Sequence, residues 1–171
     1  MLAHIKSDMW NNQIAIGMNP YADWDQLYRS FKTKYQHFFD GDVGNWDGGA
    51  NPRIQRLVNE VVLSFYKGPN ADVFAVLLES VVTTMVLSHK SLYLTTHSMP
   101  SGCLVTALFN SLINRSISAI CLYREMKKDG KIATVKDFNQ CGDFVMGDDK
   151  LCGATTALKK YFNALTMKGV S

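Results

Sequence analysis

Several protein classes are excluded by what this sequence has little of. It holds only four cysteines, Cys103, Cys121, Cys141 and Cys152, widely spaced and without a Cys-x-x-Cys pair. That argues against a zinc site or a disulfide framework and fits a reducing compartment. Its histidines, His4, His37, His89 and His97, show no metal-binding spacing. No apolar run reaches the ~20 residues needed to span a bilayer. The opening Met1-Leu2-Ala3-His4-Ile5-Lys6 lacks the apolar core of a secretion signal. Excess charge is also scarce: a net charge of +3 permits a nucleic-acid partner without arguing for one. No internal repeat, low-complexity segment or linker stands out.

What is present suffices for one ordered domain. The 171 residues are 47% hydrophobic and 19% charged, enough apolar surface for a core. The first sixteen residues show little periodicity, and Gly17-Met18-Asn19-Pro20 signals a turn. Trp24, Leu27, Tyr28 and Phe31 fall at helical spacing and predict a short helix over 22–32. The aromatic-rich stretch 35–41 reads as a buried strand. Asn51 as cap with Pro52 at the first position opens a helix with the stripe Ile54, Leu57, Val58, Val61, Val62 and Phe65. Val73, Val76, Leu77 and Val81 predict a second helix, and 83–87 with 91–95 a hairpin. After the loop 97–102 comes the most regular helix. Val105, Leu108, Phe109, Leu112, Ile113, Ile117 and Ile120 form its apolar face, and Thr106, Asn110 and Asn114 a separate polar stripe. Lys127-Lys128-Asp129-Gly130 ends it. A second hairpin and a final helix with Leu158, Tyr161, Phe162 and Leu165 in register complete an α+β domain with a small antiparallel sheet.

The second hairpin organises the rest. In Asp143-Phe144-Val145-Met146-Gly147-Asp148-Asp149-Lys150-Leu151 an apolar run meets a glycine and two adjacent carboxylates. Gly147 lets the backbone turn. Neighbouring carboxylates repel, so a cation that neutralises them stabilises the tip, and a hard divalent ion with oxygen ligands suits it. Taken alone, Gly-Asp-Asp is more often a solvated polar turn. Two further segments change that balance: Asp42-x-x-x-x-Asp47, reached through Asp40 on a strand that ends among glycines, and Ser101-Gly102-x-x-x-Thr106-x-x-x-Asn110.

In this order the three segments resemble motifs A, B and C of the palm domain of viral RNA-dependent RNA polymerases, in particular the picornavirus-like group. Met99-Pro100-Ser101-Gly102-Cys103, Thr106 and Phe109-Asn110-Ser111 match motif B. Gly17-x-Asn19-Pro20 with Trp24 and Leu27 is similar to the segment before motif A. The likeness runs from Gly17 to Leu151. It implies a palm with part of the fingers, residues 1–171 forming a single polymerase core fragment, and template-directed RNA synthesis from ribonucleoside triphosphates. By the same resemblance Asp42 and Asp148, supported by Asp149, are catalytic ligands of two Mg²⁺ or Mn²⁺ ions, with Asp40 a rival. Paired ions ~3.5–4 Å apart stabilise both attacking and leaving oxygens of an in-line displacement. Asp47 and Asn110, with Ser101, Gly102 and Thr106, are implied to read the nucleotide and its ribose, since a 2′-hydroxyl both donates and accepts.

The resemblance further implies an RNA template and primer, other viral replication proteins as partners, and the cytoplasm of an infected host cell. Met146 stands where the family most often has Tyr. Lys150 is expected to be solvated on the opposite strand face, and Arg53, Arg56 and Arg115 to be ordinary surface residues. The family's upstream triphosphate-gripping motif, thumb and a later lysine have no assigned counterpart; Lys159, Lys160 and Lys168 qualify for the last by position only. Two alternatives remain open here: a reverse-transcriptase-like palm polymerase, and a metal- or RNA-binding fragment that does not turn over.

Overall fold

The computed structural model describes residues 2–42, 46–96, 99 and 105–168. The opening stretch, which shows little periodicity, forms two short helices, α1 (Leu2–Ser7) and α2 (Met9–Asn12). They are too short for an apolar repeat to register. Helix α3 (Pro20–Lys34) is longer than the spacing predicts, because Asn19 caps Tyr21 N–H and Pro20 starts the first turn. Of its periodic residues only Phe31 is buried, while Trp24 and Tyr28 are exposed. Strand β1 (His37–Gly41) and the short α4 (Trp46–Gly49) follow. Next come α5 (Pro52–Phe65), capped by Asn51 as expected, and α6 (Ala71–Val82).

Strands β2 (Thr84–Ser88) and β3 (Ser91–Thr95) form the expected hairpin, a separate two-stranded sheet. Helix α7 (Thr106–Lys128) is the long central helix. The short α8 (Val135–Asn139) opens on a capping box between Thr134 and Asp137, and its one-turn length hides it from periodicity. Strands β4 (Gly142–Met146) and β5 (Asp149–Ala154) make the acidic hairpin. The predicted final helix reduces to α9 (Ala164–Met167). Leu158, Tyr161 and Phe162 are buried from hydrogen-bonded turns before it, and Leu165 is exposed. Their spacing reflects shared burial rather than a shared helix.

The main sheet has the order β1-β5-β4, antiparallel throughout. The free edge of β4 is met by the chain before α3: Ala15 N–H donates to Val145 O and Val145 N–H to Gln13 O. Strand β1 lies at the opposite edge and is mostly exposed, not the buried strand its aromatics suggest. One sheet face packs on α7 and residues 158–162, through Cys152, Ala154, Leu122, Met126 and Phe162. The other packs on α2 and α3, through Phe144, Met9, Phe31 and Tyr35. Gly142 and Gly153 sit opposite each other in the ladder. A Cβ there would meet Tyr35 at 2.6 and 2.5 Å respectively, so the glycine pair is the flat seat for the α3 aromatics. A third cluster joins α5, α6 and α7 around Ile113 and Val62. No helix among the described residues is long and apolar enough to cross a membrane.

Candidate active site

The hairpin tip is built by the local sequence. Met146 pairs with Asp149, leaving Gly147 and Asp148 as the two turn residues. Gly147 has φ +69° and Asp148 does not share the left-handed region, matching the II′ requirement of glycine at the first central position. Asp148 is half-buried and Asp149 exposed. On the neighbouring strand Gly41 is the partner of Lys150. Asp42, the next residue, therefore leaves β1 at the same end of the sheet as Asp148 and Asp149, and is exposed. Asp40, opposite Leu151, lies two residues further down.

Helix α7 meets this tip with a buried polar stripe. Asn110 is 5% exposed, and Ser111, Asn114 and Ser118 are fully buried. The i, i+4 stripe foreseen in Thr106, Asn110 and Asn114 thus runs one turn further, to Ser118. Ser111 Oγ accepts from Gly147 N–H at 2.8 Å. Asn114 Nδ2 donates to the Asp148 and Gly147 carbonyls at 2.7 and 3.3 Å. Asn110 Oδ1 is buried without a hydrogen-bond partner among the described residues. Unpaired buried acceptors are costly, and an unsatisfied buried atom calls for an explanation such as an absent ligand or ion. Thr106 is half-buried at the first turn of α7. The side chain of Asp47, which lies in α4, and all of Ser101 and Gly102 fall outside the described residues.

Beneath the tip lies a charged network that sequence reasoning missed. Asp143 is fully buried. Its Oδ1 accepts from Ser118 Oγ at 2.9 Å and from the Cys152 thiol at 3.4 Å, and its backbone N–H donates to Gln13 Oε1 at 2.6 Å. Burial raises the Asp143 carboxyl above the usual range, against the opposing pull of Arg115 and Lys150. Lys150 is buried, not solvated, with Nζ 3.3 Å from Ser118 Oγ. Its aliphatic stem lies across Gly41, where any side chain would crowd it. Arg115 is also no surface residue: it donates to Asp143 O at 2.8 Å and stacks 5.2 Å from the centre of the Phe138 ring. Desolvation lowers its guanidinium from the ordinary value. The signal available in the sequence was alternation: Asp143, Val145 and then Lys150, Cys152 share the α7 face.

The thiols among the described residues are equally withdrawn. Burial pushes Cys141 up to about 12 and also raises Cys121 and Cys152. Lys160 is held by Asp129 at the end of α7, and Arg56 by Glu79 at 2.8 Å.

As hard oxygen donors, the carboxylates of Asp42, Asp148 and Asp149 suit Mg²⁺ or Mn²⁺. Among the described residues no group of three or more His, Cys, Asp or Glu side chains is gathered so that it could hold a metal ion unaided. That is compatible with Mg²⁺ chemistry, in which one or two carboxylates act together with substrate phosphates and water.

The family model for viral RNA-dependent RNA polymerases matches residues 1–168. The chain belongs to this family. It is similar to the replicase polyprotein of acute bee paralysis virus, 30% identical over 97% of this chain and 9% of that protein. The replicase polyprotein of Drosophila C virus is 26% identical over 94% of the chain and 10% of that protein. The fold matches a sicinivirus 3Dpol RNA-dependent RNA polymerase, with a TM-score of 0.73 at 19% identity, over 91% of this chain and 31% of that one. An insertion-loop deletion mutant of the RNA-dependent RNA polymerase of a human picorbirnavirus gives 0.67 at 15% identity, over 92% and 29%. The chain therefore spans about a tenth of the curated polyproteins and under a third of the solved polymerases. The expected α+β class and the resemblance to picornavirus-like polymerases both hold.

Proposed function

We propose that this chain is the palm, with part of the fingers, of a polymerase that copies an RNA template by adding ribonucleoside monophosphates to an RNA 3′ end. The observation that carries the reading is the β1–β5 register. It puts Gly41 opposite Lys150, so that Asp42 and the Asp148–Asp149 tip leave two different strands at one sheet end. Asp42 and Asp148, with Asp149 in support, would hold two Mg²⁺ or Mn²⁺ ions. Bound there, the ions supply charge stabilisation for the attacking and leaving oxygens of phosphoryl transfer.

The chain's own residues do the rest. Asn110, with its unpartnered buried Oδ1, accepts a hydrogen bond from the ribose 2′-hydroxyl. Asp47, Ser101, Gly102 and Thr106 complete the nucleotide-binding set, as the resemblance implies. A site that hydrogen-bonds a hydroxyl rejects the substrate lacking it, because its polar groups then stay unpaired. Asp47 and Asn110 favour this over a reverse-transcriptase-like reading, which calls for a bulky residue in place of Asp47. The enzyme's partners are then RNA template, primer and ribonucleoside triphosphates, alongside other viral replication proteins in the host cytoplasm. This chain covers 31% of the solved sicinivirus polymerase it matches, and tested alone it is expected to bind without turning over.

The test is primer extension on an RNA template, with ribo- and deoxyribonucleotides, by the polymerase that carries this chain. Asp148→Asn is expected to lower the rate by about 10³-fold. Asn110→Ala is expected to cut ribonucleotide preference by about tenfold or more. Extension that survives Asp148→Asn would overturn the metal assignment. Unchanged sugar preference in Asn110→Ala would overturn the ribose assignment.

A further inference from the structure

Two of the buried polar residues of α7 that the proposed chemistry does not use, Asn114 and Ser111, touch the acidic turn. Asn114 is fully buried, yet its Nδ2 is spent on the backbone of the acidic turn. The Gly147 carbonyl belongs to the peptide entering Asp148, and the Asp148 carbonyl to the peptide leaving it. One amide nitrogen therefore holds both peptide planes that flank the Asp148 Cα, at 3.3 and 2.7 Å. Ser111 holds the next peptide back by accepting from Gly147 N–H, while its own hydroxyl donates to Ala107 O at 2.7 Å. That second bond orients the Ser111 oxygen so that a lone pair faces the turn.

The amide of Asn114 has only one workable orientation. Reversed, its oxygen would face two carbonyl oxygens. As placed, its Oδ1 is buried with no partner. An apolar side chain in this position would remove the unpaired Oδ1 but leave the Gly147 and Asp148 carbonyls without their donor, so Asn114 gives up one bond to hold the turn with the other end of its amide. That hold also controls where Asp148 points, because both dihedrals at its Cα are defined by the planes Asn114 holds.

We infer that Asn114 and Ser111 are positioning residues that set the direction of the Asp148 carboxylate. Asn110 sits directly before Ser111 and one helical turn before Asn114. The residue that reads the sugar and the residues that aim the acid thus share one rigid helix, which fixes the distance between nucleotide and metal ligand. This inference rests on the reading of Asp148 as a metal ligand.

The experiment uses the whole polymerase with Asn114→Ala, Ser111→Ala and Ser111→Thr, beside Asp148→Asn. Primer extension is followed across a Mg²⁺ series and a nucleotide series, and folding by thermal melts. A misaimed ligand costs about 10- to 100-fold in rate. The expected result for Asn114→Ala is a kcat lower by that factor, a higher Mg²⁺ requirement and a KM for nucleotide that stays put. Ser111→Ala should shift kcat and the Mg²⁺ requirement in the same direction by less, and Ser111→Thr, which keeps the hydroxyl, should recover most of the loss. A folded Asn114→Ala enzyme with unchanged kcat and Mg²⁺ response overturns the inference while the metal assignment stands. So does an effect confined to KM. If Asn114→Ala and Ser111→Ala both fail to fold, the contacts are structural only and the inference falls. If Asp148→Asn is active, the metal assignment fails first and the inference with it.

Discussion

Two parts of this molecule carry the same kind of apolar pattern and use it in opposite ways. In the β4–β5 hairpin and the residues packed on it, the pattern is consumed inside the chain: Val145, Cys152 and Ala154 are fully buried and Phe162 is 1% exposed. Across α5, α6 and the β2–β3 hairpin it faces outward. Phe65 is 70% exposed, Val76 69%, Leu87 73% and Leu92 62%. Helix α5 shows the split within one element, with Ile54, Val58 and Val62 buried and Leu57, Val61 and Phe65 not. A stripe of apolar residues records that a face avoids water, not which partner covers it. The Gly147–Asp148 turn lies at the well-packed part, where Ser111 and Asn114 of α7 hold its backbone.

The largest expected effect falls on two phenylalanines. Phe162→Ala empties a closed site and should cost about 3–5 kcal/mol. Phe65→Ala, on the open face, should stay within about 0.5 kcal/mol. Chemical denaturation of the two variants checks the pair, and equal losses would erase the contrast.

A smaller effect is expected at the glycine seat. Gly153→Ala forces a methyl group toward Tyr35 and Phe31 and should cost about 1–3 kcal/mol by overpacking. A melting temperature no lower than that of the parent chain would mean that the α3 aromatics shift without cost.

The smallest effect is a matter of pH. Burial raises the Asp143 carboxyl, so its protonated form favours the fold. Stability from that proton is fully present below the ordinary carboxylate value of about 3.9. It is lost as pH rises through the raised value. Asp143→Asn cannot ionise, so it should gain on the parent chain over that interval. Melting curves recorded across acid to neutral pH test this, and a constant gap between the two proteins would contradict it.

Much of the candidate site was legible beforehand because it depends on local rules. Gly147 before two acids predicts a tight turn, and the turn has φ +69° at that glycine. Asn51-Pro52 predicts a helix start, and α5 begins there. The ladder between 84–88 and 91–95 follows from β-favouring residues around a short polar connection. Lys150 was not legible. A lysine after two acids reads as solvated, but strand alternation turns it onto the α7 face, where Ser118 and Asp143 receive it. The final helix failed for the same reason. Leu158, Tyr161 and Phe162 share a buried environment that apolar spacing alone cannot distinguish from a helical face.

The order of elements, the position of the acidic turn and the polar stripe of α7 were therefore decided by the chain's own residues, since caps, glycine torsions and side-chain periods act over a few residues. Which strand lies beside which, which apolar faces close, and which buried side chains grip the Asp148 turn were decided by tertiary structure. The grip on the Asp148 turn, for one, joins residues far apart in the chain: 33 positions separate Asn114 from Gly147 and 36 separate Ser111 from it. Bringing such residues together is a property of the whole packed chain and of no local stretch within it.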